Sequence, residues 1–184
     1  ELFNPGSTRH AIIHDYARWC AFSATRSGCP FKAKKDVYPL IDIPDYEELL
    51  SSNHSWSTAR FLDWHEKYTL QINKASGQII GVGWATKLIN VYLKTIVYVG
   101  RIGPASLIDC IHPPIDGGLW QGIKQAYETE KDILAKTHTV SKIKDITSYQ
   151  IYQSILAGCE LITQHKGWKL IEIEKLWTGT SYKS

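Results

Sequence analysis

The hydrophobic period is helical in nearly every segment of this chain, and that regularity limits the fold more than any other feature. Convincing strand-type alternation is nearly missing along the 184 residues. The clearest helix follows Ser57, a candidate N-cap. Phe61, Trp64, His65, Tyr68 and Ile72 then fall at i, i+3, i+4, i+7 and i+11, one apolar stripe ending near Asn73. Ser7 or Thr8 caps an earlier helix, expected to run from Arg9 to Arg26 and to stop at Gly28. That helix is apolar on most sides, which places it at the centre of the core. A short helix is expected over 46–50, with longer ones over 84–99 and 119–136. A last long helix carries Ile151, Ile155, Cys159 and Ile162 on one face and stops at Gly167. Residues 169–177 read as a short helix or strand. The stretches 28–44, with Pro30, Pro39 and Pro44, and 100–118, with Gly103-Pro104 and Pro113-Pro114, read as connections. The expected class is all-α.

Hydrophobic residues make up 43% and charged residues 21%, enough for a real core and against disorder. No apolar run approaches the roughly 20 residues of a membrane-spanning helix. No basic-then-apolar leader opens the sequence, and it lacks methionine, so it is read as starting after a removed residue or tag. The net charge of +3 is compatible with a nucleic-acid partner. Seven tryptophans and ten tyrosines are a heavy aromatic load, most of it core by size. Cys20, Cys29, Cys110 and Cys159 form no CxxC pair and no iron–sulfur or zinc spacing; they read as buried thiols of an intracellular protein. His10 and His14 are spaced i, i+4 beside Asp15, but the HExxH glutamate and a third ligand are missing. The reading is no metal and no cofactor. A GxSxG nucleophile elbow is absent.

The most informative segment runs from Gly81 to Thr95. Gly81 and Gly83, just ahead of a helix, allow close backbone approach, and the free N–H groups of the helix start suit a phosphate. Along that helix Ala85, Leu88, Ile89, Tyr92, Leu93, Ile96 and Val97 form a wide apolar face. Lys87 and Lys94 lie within about 20° of each other opposite it. Neither lysine has an acidic i+4 partner, which suits a polyanion better than a solvated stripe. The second segment is Ile111-His-Pro-Pro-Ile-Asp116. Its prolines stiffen the approach, and Asp116 stands where an N-cap would, a position that also favours an ionised carboxylate.

GVGWATKLINVYLKT followed by HPPID and a helix resembles the helix-hairpin-helix DNA glycosylase superfamily, whose endonuclease III and 8-oxoguanine DNA glycosylase families carry a GVGxKTA hairpin and a later P/V-V-D segment. The likeness covers 77–123. Lys87 and Asp116 stand 29 positions apart, a separation similar to the archaeal branch. Lys87 lies two places late for GVGxK, Lys94-Thr-Ile-Val-Tyr98 resembles the archaeal lysine segment, and the endonuclease III cysteine cluster is absent.

The resemblance implies a two-lobed helical fold with a central groove. The lobes are expected at 45–136 and at 1–44 plus 137–184, with the terminal helices in one lobe. The implied activity is excision of a modified base flipped out of DNA. Asp116 would stabilise the developing sugar cation, and Lys87 would be the Schiff-base nucleophile, with Lys94 the competing lysine. Gly81, Gly83, Trp84, Lys94 and His112 would meet DNA, and Trp19, Trp120 and Trp177 would line the base pocket. The protein would act as a monomer on DNA, away from membranes. The competing reading is a helical module that binds nucleic acid or protein through the basic hairpin without catalysis.

Overall fold

Helix α1 (Thr8–Ser23) opens at Ser7, whose Oγ accepts from the His10 N–H at 3.4 Å. In the computed structural model, which describes residues 1–25 and 28–180, the chain is all-helical, with no strand among the described residues. The expected end of α1 at Arg26 lies outside the described residues; the helix closes at Ser23. It is not the central helix. Only His10, Ala17 and Ala21 are buried, and Ile12, Tyr16 and Trp19 are exposed. An all-round apolar sequence does not say which face is covered. Here α1 lies against the central helix, with Ala17 and Ala21 among the buried residues.

That central place belongs to α5 (Val82–Leu93), where every residue except Lys87 is buried. Each large apolar side chain covered in this way contributes about 1.5–3 kcal/mol over an exposed one. The rod continues as a π-helical segment (Lys94–Val99), so the helix expected over 84–99 is present with its last part widened. The supposed connection over 28–44 contains α2 (Lys34–Ile41) with Pro39 inside it. Burial of Val37, Leu40 and Ile41 outweighs the proline's breaking tendency. Helix α3 (Tyr46–Ser51) and α4 (Thr58–Ala75) match expectation, and all five residues of the α4 stripe are buried. The helix expected over 119–136 is two, α6 (Gly117–Ala126) and α7 (Lys131–Thr137). Helix α8 (Tyr149–Lys166) ends at Gly167, whose φ of 65° is the left-handed cap that glycine takes without strain. A 3-10 segment (Leu170–Leu176) follows, helical rather than extended.

Two apolar clusters result. One gathers residues of α1–α5 and the π segment with Leu107 and Ile111; the other gathers α6–α8 with Val82, Ile115 and Ile173. The terminal helices α1 and α8 therefore belong to different clusters. No helix among the described residues is long and apolar enough to cross a membrane. All four cysteines are free thiols.

A buried polar chain ties the clusters together. The Tyr149 hydroxyl meets His65 Nδ1 at 2.8 Å, His65 Nε2 meets Asn90 Oδ1 at 2.8 Å, and Asn90 Nδ2 donates to the Tyr152 hydroxyl at 2.8 Å. Tyr152 in turn meets His112 Nδ1 at 3.0 Å. One consistent set of donors runs through it: Tyr149 to His65, His65 to Asn90, Asn90 to Tyr152, Tyr152 to His112. Burial lowers His65 to about 4, and burial with repulsion from His65 lowers His112 as well. An unfolded histidine titrates near about 6.5, so the unfolded chain binds protons first as pH falls. Stability should be complete above about pH 6.5 and decline towards pH 4, with His65 alone accounting for about 3 kcal/mol. Urea unfolding at pH 7 and pH 4.5 measures this; equal midpoints would show that His65 does not titrate in isolation from solvent.

Candidate active site

Lys87 occupies the one half-open position of α5, and its Nζ lies 3.1 Å from Asp116 Oδ2. The two side chains are 12% and 20% exposed, so the pair is largely withdrawn from water. Two devices bring these residues together. Asn90, three positions beyond Lys87, donates to the Pro113 carbonyl at 3.1 Å and pins the stiff Pro113-Pro114 segment to α5. Asp116 then caps α6: its Oδ1 accepts from Gly118 N–H at 3.0 Å and Leu119 N–H at 3.1 Å. The same oxygen accepts from Trp177 Nε1 at 3.0 Å. A Cβ on Gly118 would collide with that indole, so the second glycine of Asp116-Gly117-Gly118 makes room for Trp177. Capping and the ion pair use different oxygens of one carboxylate.

The pair lines a cavity of about 480 Å³ that Trp19, Val91, Lys94, Glu174 and Trp177 also border. Its size is within the usual range for small-ligand sites, and it combines aromatic walls with a few convergent charges. Lys94 Nζ bonds Glu174 Oε2 at 2.6 Å. Burial pushes the Glu174 carboxyl up, Lys94 opposes the rise, and the nearby Asp116 adds to it. Trp19 is 48% exposed and stacks on Tyr16 at 5.8 Å.

Of the expected site residues, Lys87, Asp116, Lys94, Trp19 and Trp177 meet at this cavity. Others do not. Trp120 is buried in the second cluster, its indole donating to the Thr137 carbonyl at 2.7 Å, so it is no pocket wall. His112 is buried in the polar chain and cannot reach DNA. Trp84 is buried too, with Lys87 Nζ 5.4 Å from its ring centre. The Gly83 N–H donates to the Ile146 carbonyl at 3.1 Å, and a Cβ there would strike the Ile143 carbonyl. The close approach that this glycine permits is therefore to the chain's own 143–146 segment, not to a phosphate. Gly81 is the half-buried N-cap of α5, with open space where its Cβ would stand. Lys87 and Lys94 are not a free basic stripe, since each holds a carboxylate from a remote segment.

Two contributors carried no sequence signal: Glu174, 80 positions from Lys94, and Asn90 as a brace. Among the described residues no three His, Cys, Asp or Glu side chains gather as a metal site; His10 faces Glu1 and His14 bonds the Tyr92 hydroxyl. Compared with known proteins, the chain matches no family model, no curated protein and no solved structure. Fold and site together define an all-α protein with a lysine–aspartate pair set in an aromatic cavity.

Proposed function

We propose that the protein is a DNA glycosylase that acts as a monomer on intracellular DNA. The observation that carries the reading is the 3.1 Å contact between Lys87 and Asp116 on the wall of a cavity bordered by Trp19 and Trp177. A flipped base needs an aromatic-walled pocket, and an attacking amine needs a base within hydrogen-bond reach. Asp116 Oδ2 takes a proton from the Lys87 ammonium. The freed lone pair forms a bond to the sugar C1′ while the C1′–N bond breaks, its electron pair leaving with the base. The C1′-bound ammonium then gives up a proton to the ring oxygen O4′ as the C1′–O4′ bond breaks, and the nitrogen lone pair closes the C=N bond of a lysine Schiff base. The rival reading, a purely binding module, calls for a free cationic face, and the pairing of both lysines weakens it.

Incubation with duplexes carrying 8-oxoguanine, hypoxanthine, uracil or 5-hydroxymethylcytosine under borohydride tests the reading. Wild type should give a covalent protein–DNA adduct, Lys87→Gln should abolish it even on long incubation, and Lys94→Gln should still form it, more slowly. Abasic product without adduct would retain the glycosylase and remove Lys87 as nucleophile. Salt-dependent DNA binding with no product from any duplex would favour the binding module instead.

A further inference from the structure

The Lys94–Glu174 pair borders two cavities. One is the cavity of Lys87 and Asp116, called the inner one; the other, called the outer one, has about 650 Å³ and is lined by Tyr98, Trp168, Glu172 and Lys175. Among the described residues no other lines both. Lys94 Nζ and Glu174 Oε2 are 2.6 Å apart, with side chains 31% and 19% exposed. Asp116 accepts three hydrogen bonds and pairs with Lys87, whereas among the described residues Glu174 accepts a side-chain hydrogen bond from Lys94 alone. One carboxylate is held by several segments, and the other has the Lys94 amine as its side-chain partner.

We propose that Lys94 and Glu174 form a proton relay that protonates the departing base in the inner cavity and is reloaded from solvent in the outer one. The inference rests on the glycosylase reading and assigns the reaction a second acid–base pair. The step balances simply. As the C1′–N bond breaks, its electron pair goes to the base nitrogen, and that nitrogen takes a proton from the pair. The pair is left one proton short, and water in the outer cavity restores it. The groups facing the relay are Lys87, Asp116 and Cys20 on the inner side and Tyr98, Glu172 and Lys175 on the outer. Burial raises the Glu174 carboxyl, which helps it to hold the travelling proton. The Tyr98 hydroxyl, donating to Glu172 Oε1 at 3.1 Å, stays clear of the pair.

A base that already carries a positive charge leaves without needing a proton, and that difference makes the test. Single-turnover excision is measured for the neutral base that wild type removes fastest among the four duplexes above, and for 7-methylguanine, which departs from a cationic nucleoside. Glu174→Gln and Lys94→Gln should each slow removal of the neutral base about 100-fold, within the usual range for general acid catalysis, and leave 7-methylguanine within a few-fold of wild type. The wild-type rate on the neutral base should fall at alkaline pH, and the variants should lose that limb. Equal slowing of both substrates, with circular dichroism showing a folded protein, would reduce the pair to a structural role. The relay would then fail while the glycosylase reading stood. No excision of any base by wild type would overturn both.

Discussion

Asp116→Asn should lower base excision about 1,000-fold while leaving the protein folded and within about 1 kcal/mol of wild-type stability. The two effects separate because the carboxylate divides its duties between its oxygens. Oδ1 accepts from Gly118, Leu119 and Trp177, and an asparagine oxygen can accept the same three bonds. Asparagine is as good an N-cap as aspartate. At the other position an amide nitrogen would replace Oδ2, now 3.1 Å from Lys87 Nζ. A donor would then face a donor, and no group there could take the lysine proton. Asp116→Ala should fail in both respects, with the same loss of turnover and about 1 kcal/mol of lost capping in addition. Single-turnover rates and urea unfolding on the three proteins read the two effects apart. Wild-type turnover by Asp116→Asn would show that the carboxylate only ties off its helix.

The largest expected effect on stability comes from a residue without a side chain. A Cβ on Gly122 of α6 would be driven into the Leu176 carbonyl, with the Leu176 carbonyl carbon only 2.7 Å away. Backbone cannot swing aside as a flexible side-chain tip can, so α6 and the 170–176 segment would have to separate. Gly122→Ala should destabilise the protein by about 3 kcal/mol, lowering Tm by about 10 °C. The same segment carries Glu174 and leads into Trp177, so the cavity should lose one wall together with the stability. Gly117, five residues earlier in the same helix, is the control: its added Cβ meets nothing within 4 Å. Gly117→Ala should melt close to wild type. Thermal melts of the two variants decide the matter, and a Gly122→Ala protein as stable as Gly117→Ala would mean that the helix shifts without cost.

Some of this was legible in the residues. The stripe on α4 is read from spacing alone, and all five of its residues are buried. The caps at Ser7 and Ser57 and the stop at Gly167 fall where expected, because a cap depends on groups within a few residues of itself. The helix missed at 34–41 shows the limit. Its proline is a strong local signal, and the burial that overrides it is not local at all. The same limit misplaced α1: many apolar residues around one helix mark several faces as candidates for burial, and only His10, Ala17 and Ala21 were covered.

Local pattern alone determined that this chain is helical and where several of its helices begin and end; the choice of Lys87 and Asp116 came from a resemblance of motifs. Tertiary packing alone decided that Lys94 is held by Glu174, that Gly83 meets Ile143 and Ile146 instead of a phosphate, and that His112 and Trp120 are interior. The physical reason is range. Helical period and capping arise from bonds a few residues long and leave a trace in the order of the residues. An ion pair that closes across 80 positions depends on which faces pack together, and no short stretch of chain records it.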